Sequence, residues 1–206
     1  SDDKSAEVFK SYTDQRLKYY YAPKHTTLYT ARNFAIEKSK GTFIAFIDTD
    51  DYWDKNKLDL QLPLFSDPQV GVVYGNHFII NENLKTKRVF LRGKKPKGYI
   101  MEKLLKNYCT SLVTLVIRKS FLDNYKPPFD SAFHIMGDFD LMIRMSSKYK
   151  FNCVEKPIAF YRSHGKNESI LKKNYQAKEL KIWCIKMKNY PNIFNNKNFL
   201  NISNII

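Results

Sequence analysis

The pattern of apolar and polar positions alternates between strand-like and helix-like segments. Residues 42–47 (TFIAFI) form a continuous apolar run that is followed by an acidic cluster. Such a run is typical of a strand buried on both faces of a sheet. The other segments with a strand-like pattern span residues 17–21, 70–80, 88–92, 111–118 and 151–162.

Helices are indicated by apolar residues three and four positions apart and by residues that cap a first turn. Thr30 is the expected cap of one helix and Asp54 that of another, which ends near Pro63. The predicted helices span residues 5–12, 31–38, 55–62, 100–107, 138–147 and 171–188. This alternation predicts an α/β sandwich with a mainly parallel central sheet flanked by helices.

The chain of 206 residues fits one domain of ordinary size. We expect residues 1–170 to form the main domain, and residues 171–206 a C-terminal helix with a basic tail rich in Asn and Lys. The chain opens without a buried strand, whereas α/β nucleotide-binding folds begin with one and with a loop that grips the ligand. We therefore expect the fold to be N-terminally truncated.

Composition narrows the class of protein. Hydrophobic residues make up 43% of the chain, enough for a packed core, and no apolar run approaches the roughly 18 residues of a membrane-spanning helix. Three widely spaced cysteines without a CxxC pair favour a reducing compartment, and the opening residues lack the apolar region of a signal peptide. The expected location is the cytoplasm.

The formal net charge of +15 is concentrated in residues 81–106 and in the C-terminal tail. Such stretches are more often solvated faces than binding sites. One alternative is peripheral contact with an anionic membrane at its inner face, where lipid-linked acceptors are built. Another is a basic nucleic-acid-binding protein, although we expect no nucleic-acid partner.

The strongest candidates for chemistry follow the apolar run. Asp48 and Asp50 are two residues apart, so in strand geometry they project to one side and can converge on Mg²⁺ or Mn²⁺. The carboxyl ends of parallel strands open on the crevice where ligands bind. Taken alone, the motif favours a simpler alternative, in which Asp50, Asp51 and Asp54 cap the next helix.

Three other positions carry candidate roles, each with a structural alternative. Arg32, near a helix start, can bind a phosphate or lie exposed on the helix. Asp138 is the candidate general base or a helix cap, whereas Asp140 is expected to pair with Arg144 one turn later. His164, after a strand, can ligate the same cation, preferably Mn²⁺, or be a solvated loop histidine.

Two stretches carry motifs in an order that matches a known family. The first is ARNFAIEKSKGTFIAFIDTDDYWDKNKLDLQL and the second is GDFDLMIRMSSKYKFNCVEKPIAFYRSHGKN. The first resembles the A-R-N, D-x-D-D-x-W and K-L-x-x-Q motifs of family 2 glycosyltransferases of the GT-A fold. The second is similar to that family's E-D-x-D-L-W-x-R segment and its closing Y-R-x-H-x-x-N.

The resemblance implies a GT-A fold and an inverting transfer of a sugar from a nucleotide-diphosphate donor to an acceptor hydroxyl. It implies Mn²⁺ or Mg²⁺ as cofactor, a saccharide or lipid-linked acceptor, and a role in bacterial cell-surface polysaccharide or glycolipid synthesis. The residues that match the family's site are Asp50 and His164 for the metal, Arg32, Asp48 and Asp51 for the nucleotide sugar, and Asp138 for the general base.

The sequence departs from the family pattern at three places. Residues 1–5 resemble the end of the family's D-D-G-S segment, so its opening strand is expected before Ser1. Thr27 stands where a glycine is usual, and Gly137 replaces the glutamate that precedes the base. The last change leaves a catalytically inactive glycosyltransferase-like domain as the alternative.

Overall fold

The centre of the fold is a six-stranded sheet in the computed structural model, which describes residues 4–22 and 24–203. The strands run in the order β1-β5-β3-β6-β2, and β4 pairs with β3 outside this path. Residues 1–3, part of the segment that resembles the family's D-D-G-S motif, lie outside the described residues. The strands are β1 (Phe43–Ala45), β2 (Tyr52–Trp53), β3 (Val70–Asn81), β4 (Thr86–Val89), β5 (Val116–Arg118) and β6 (Lys150–Ser163).

The sheet is mixed, which refines the expected α/β architecture. The pair β3–β6 is parallel, whereas β1–β5, β5–β3, β3–β4 and β2–β6 are antiparallel. The flanking helices are as expected, but the sheet is not mainly parallel, because β5 runs in the opposite direction between β1 and β3. The predicted strand at residues 17–21 is also wrong: this exposed segment forms no regular element.

Ten helices flank the sheet within the described part of the chain. One of them, α2, begins before the expected position, because the hydroxyl of Thr27, and not that of Thr30, accepts the capping bond, here from the Thr30 N–H. The helices are α1 (Ser5–Lys10), α2 (Leu28–Lys38), α3 (Lys57–Gln61), α4 (Met101–Lys106), α5 (Lys119–Leu122), α6 (Gly137–Ser146), α7 (Glu168–Leu171), α8 (Tyr175–Lys186), α9 (Pro191–Phe194) and α10 (Lys197–Ser203).

The main hydrophobic core lies between the sheet and helices α4, α6 and α8. Leu141 and Ile143 of α6 are fully buried in it together with Tyr74 of β3. Trp183 of α8 and Phe199 of α10 belong to the same cluster and are also fully buried. The C-terminal helices therefore pack against the helix that carries the candidate base.

Cys109, Cys153 and Cys184 are free thiols. In residues 4–22 and 24–203, no helix is long and apolar enough to cross a bilayer.

Candidate functional site

A cavity of about 480 Å³ opens where the chain leaves β1 and enters the acidic motif. Its walls come from α2, from the loop after β1, from the first turn of α6 and from the loop after β6. Residues far apart in the sequence therefore line one space. The polar residues that line the cavity include Arg32, Asp48, Asp50, Asp51, Asp138 and Asn167.

Asp48 is held by an ion pair on one wall of the cavity. Its Oδ1 lies 2.5 Å from Nη2 of Arg32, whose side chain is 11% exposed. The Arg32 guanidinium also lies over the ring of Tyr29, 5.5 Å from its centroid. Because a guanidinium binds carboxylate and phosphate oxygens in the same geometry, a phosphate that enters here can take the place of Asp48.

Asp50 lies at the centre of a hydrogen-bond network with the loop after β6. Its Oδ2 accepts from Nε2 of His164 at 3.0 Å and from Nδ2 of Asn167 at 3.4 Å. The Lys166 N–H donates to Nδ1 of the same imidazole at 3.2 Å, so a neutral ring carries its proton on Nε2. Asn167 also accepts from the His164 N–H at 2.6 Å, which fixes the loop against Asp50.

The Asp50–His164 pair offers two of the ligand types that a divalent cation can take. Within the described ranges no group of three acidic, histidine or cysteine side chains surrounds one point. Mg²⁺, however, is usually held by only one or two carboxylates together with substrate phosphates and water. Metal–ligand bonds of about 2.1 Å put adjacent ligands of an octahedral site about 3.0 Å apart. Asp50 Oδ2 and His164 Nε2 have this spacing, 3.0 Å, and metal binding requires the Nε2 proton to leave.

Asp51 connects the acidic motif to β6. Its Oδ1 accepts from the backbone N–H of Arg162 at 2.9 Å, and the Arg162 Nε donates to the Asp50 carbonyl. Burial raises the pKa of Asp51 to about 6, and the hydrogen bond from Arg162 opposes that rise. Asp51 also lines the cavity, so it both contacts the ligand space and fixes the loop.

Asp138 lies half-buried in the first turn of α6, on the wall formed by that helix. The Tyr29 hydroxyl donates to its Oδ1 at 3.4 Å. Desolvation raises the pKa of Asp138 above its ordinary value, which makes its ionised form a stronger base. Asp140 has a different environment and pairs with Arg144 at 2.6 Å in the buried interior, as expected from their spacing.

Tyr29 occupies the space beside Gly137, the position before Asp138 where the family pattern has a glutamate. A Cβ placed on Gly137 would lie 2.7 Å from ring carbons of Tyr29, so this ring fills the space that any side chain at 137 needs. Tyr29 is itself fixed by stacking on Phe129, with ring centroids 5.3 Å apart. The departure at Gly137 is thus coupled to an aromatic neighbour of Asp138, which the sequence analysis did not identify.

Glu179 of α8 is a second residue that sequence reasoning missed. The residue is 2% exposed, and its carboxylate accepts three backbone N–H bonds. These come from His134 at 2.7 Å, Ile135 at 3.1 Å and Met136 at 3.0 Å. His134 and Ile135 line the cavity and Met136 precedes α6, so Glu179 holds the segment that leads into the candidate base.

Comparisons with known proteins identify the family of this chain. The family model described as glycosyl transferase family 2 matches residues 1–141. A β-1,3-glucosyltransferase of Escherichia coli, WfgD, which acts on α-D-GlcNAc-diphosphoundecaprenol, is 31% identical over 129 residues, 63% of this chain and 49% of its own. A putative teichuronic acid biosynthesis glycosyltransferase of Bacillus subtilis, TuaG, is 25% identical over 57% of this chain and 46% of its own.

Solved structures agree on the fold. The chain superimposes on residues 1–349 of S. aureus TarS in complex with UDP with a TM-score of 0.67, at 16% identity, over 96% of this chain and 54% of that one. The chain spans about half the length of the curated relatives named above. With its GT-A-like architecture and the family match over most of its length, this chain belongs to glycosyl transferase family 2.

Proposed function

We propose that the chain is the catalytic portion of an inverting, metal-dependent glycosyltransferase. It moves a sugar from a nucleotide-diphosphate donor to an acceptor hydroxyl during synthesis of cell-surface polysaccharide or glycolipid. The observation that carries this proposal is the single cavity lined by both Asp138 and Asp50, the latter in contact with His164. The names of the relatives, which act in glycan synthesis, support the reaction class.

The donor side of the reaction is assigned to the acidic motif and α2. Asp50 and His164 hold Mn²⁺ or Mg²⁺, which when bound offsets negative charge on the departing diphosphate. Arg32, released from Asp48, binds a phosphate oxygen of the donor, and Asp48 and Asp51 contact the nucleotide sugar. These residues orient the donor and do not take part in proton transfer.

The acceptor side is assigned to Asp138. The acceptor oxygen forms a bond to the anomeric carbon, its proton passes to an Asp138 oxygen, and the bond from carbon to the diphosphate oxygen breaks with its electron pair. A single displacement of this kind inverts the anomeric centre. General base catalysis contributes about 10²- to 10⁴-fold, and the raised pKa of Asp138 favours it.

The acceptor is proposed to be a saccharide, and more specifically one linked to a lipid diphosphate, as in the name of the WfgD relative. The lysines of the C-terminal tail then support peripheral contact with the anionic inner face of a membrane. Binding to phosphatidylglycerol vesicles that weakens with salt is expected, whereas equal binding to neutral vesicles would contradict this location.

The proposal is tested by transfer from a panel of UDP-sugars to a GlcNAc-diphosphate-lipid with Mn²⁺ or Mg²⁺. Asp50→Ala is expected to abolish both transfer and metal-dependent UDP binding. Asp59→Asn, an exposed acidic position on α3, is the matched control and is expected to change neither. UDP binding by the wild type without transfer or donor hydrolysis would instead identify an inactive domain.

A further inference from the structure

A second cavity, here called the basic groove, lies between the segment after β4 and helix α4. Its volume is about 520 Å³. The groove is lined mainly by cationic side chains and lies outside the set of residues assigned above. The lining residues used here are Arg92, Lys94, Lys95, Lys103, Lys106 and Cys109.

The charge of the groove is largely uncompensated. Lys95 is the exception, because its buried ammonium lies 3.7 Å from a Glu155 carboxylate oxygen and 3.3 Å from the Glu155 carbonyl. The other four cations are exposed, and no ion pair to them occurs in the part of the chain that the structure describes. Cations that lie close together without counter-charges repel one another, so this groove should bind a multivalent anion best.

The groove adjoins the catalytic cavity through one short segment. Cys109 lines the groove and Ser111 lines the cavity. Two residues span at most about 7 Å, so the two spaces flank the same stretch of backbone. Cys109 and the intervening Thr110 are buried, which fixes this segment in place.

We propose that the basic groove binds the diphosphate of a lipid-linked sugar acceptor while the sugar hydroxyl lies at Asp138. This inference rests on the proposed function and names the part of the site that selects the acceptor. The donor diphosphate is already accommodated by Arg32 and Asp50, so the groove serves a second diphosphate. Arg92 supplies a bidentate fork for one phosphate, and Lys103 and Lys106, one turn apart on α4, supply point charges.

The test compares two acceptors that carry the same sugar. One is a water-soluble, short-chain sugar diphosphate ester and the other is the uncharged alkyl glycoside. The variant is Lys103→Glu with Lys106→Glu. The matched control is Lys178→Glu with Lys181→Glu, which has the same charge change and spacing on α8, where both lysines are also exposed.

The groove variant is expected to raise KM for the diphosphate acceptor about tenfold or more, because attraction becomes repulsion. Its KM for the alkyl glycoside and for the donor should stay unchanged, and the control pair should alter neither acceptor's KM. In the wild type, raising salt should increase KM for the diphosphate acceptor but not for the alkyl glycoside. This salt measurement decides the matter even where the charge-reversal variant does not fold.

Three outcomes separate the explanations. The assignment of the groove would be overturned if the groove variant changed KM equally for both acceptors, or for neither, and if the wild-type KM values did not depend on salt. An effect of the substitutions that appears only with acceptor in anionic vesicles would also overturn it, since the groove would then bind membrane lipid. Failure of the wild type to glycosylate either acceptor would refute the proposed function, a result distinct from the other two.

Discussion

Replacing Glu179 with glutamine removes a buried anchor without changing the size of the side chain. The carboxylate accepts backbone hydrogen bonds from His134, Ile135 and Met136. An amide has one acceptor oxygen, and its NH₂ group faces N–H donors, so at least one of these bonds is lost. Charge-assisted hydrogen bonds are worth about 1.5–3 kcal/mol each, so Glu179→Gln is expected to lower the free energy of unfolding by about 3 kcal/mol.

The same substitution should reduce turnover more than donor binding. The anchored segment leads directly into α6, and a displacement of about 1 Å in a catalytic group can cost about 10²-fold in rate. We expect Tm to fall by about 6–12 °C and kcat to fall at least tenfold at temperatures where the variant is folded. Affinity for UDP, which is assigned to Arg32 and Asp50, should stay within twofold.

The assay combines thermal unfolding by circular dichroism, UDP titration calorimetry and transfer kinetics. Asp123→Asn is the matched control, since the exposed Asp123 carboxylate pairs with Lys119 one turn away, outside the cavity. Such pairs contribute about 0.3–0.5 kcal/mol, so this control should behave almost as the wild type. A Glu179→Gln protein with lowered Tm but unchanged kcat would refute the link between this anchor and Asp138. An unchanged Tm would refute the energetic account of the three bonds.

Three further predictions concern other buried groups. Lys57→Met should stabilise the protein at pH 7, because Lys57 is 1% exposed and its ammonium has no hydrogen-bond partner among the described residues. Burial lowers the pKa of Lys57 from 10.5 to about 8, so the unfolded state binds more protons than the folded state between these pH values. Wild-type stability, measured by urea unfolding, should therefore rise from pH 8 to 10 relative to that of the variant. A stability difference that stays constant with pH would contradict this. Gly137→Ala should lower Tm and kcat, because the new Cβ meets the Tyr29 ring at 2.7 Å; a Tm equal to wild type would show that the ring moves at no cost. Since desolvation raises the pKa of Asp138, the acid limb of the kcat–pH profile should lie above the ordinary aspartate value of about 3.9, and a limb at or below that value would contradict the assignment.

Local rules of sequence reading predicted part of this site. The ion pair between Asp140 and Arg144 followed from helical spacing, because residues four apart face each other on a helix. The position of Asp50 followed from the apolar strand before it, since strand ends open on the ligand crevice. In both cases the information lies within one element or at its boundary, which a short stretch of sequence contains.

Contacts between distant elements could not be predicted in this way. Tyr29 and Asp138 are 109 residues apart, and Glu179 is more than 40 residues from the segment it anchors. Tyr29, Asp138 and Glu179 are polar residues on helices, and the helical periodicity is equally compatible with exposed side chains at these positions. Only the packing of α2 and α8 near the first turn of α6 brings Tyr29 to Asp138 and Glu179 to the segment before it.

Strand direction failed for a related reason. The apolar residues of β5 fit a buried strand in either direction, because a hydrophobic pattern does not reveal which way a strand runs. The cap of α2 was misplaced because Thr27 and Thr30 are both threonines at compatible positions, and the choice depends on backbone angles. These errors concern the bounds and the orientation of single elements.

The most direct test of the account is the effect of Asp138→Asn on donor binding and on sugar transfer, measured with the same protein. The account predicts UDP affinity within twofold of wild type, because Asp50, His164 and Arg32 are unchanged, and a loss of about 10²-fold or more in kcat. Transfer by Asp138→Asn at the wild-type rate, with an equally folded protein, would contradict the assignment of this cavity as the catalytic site.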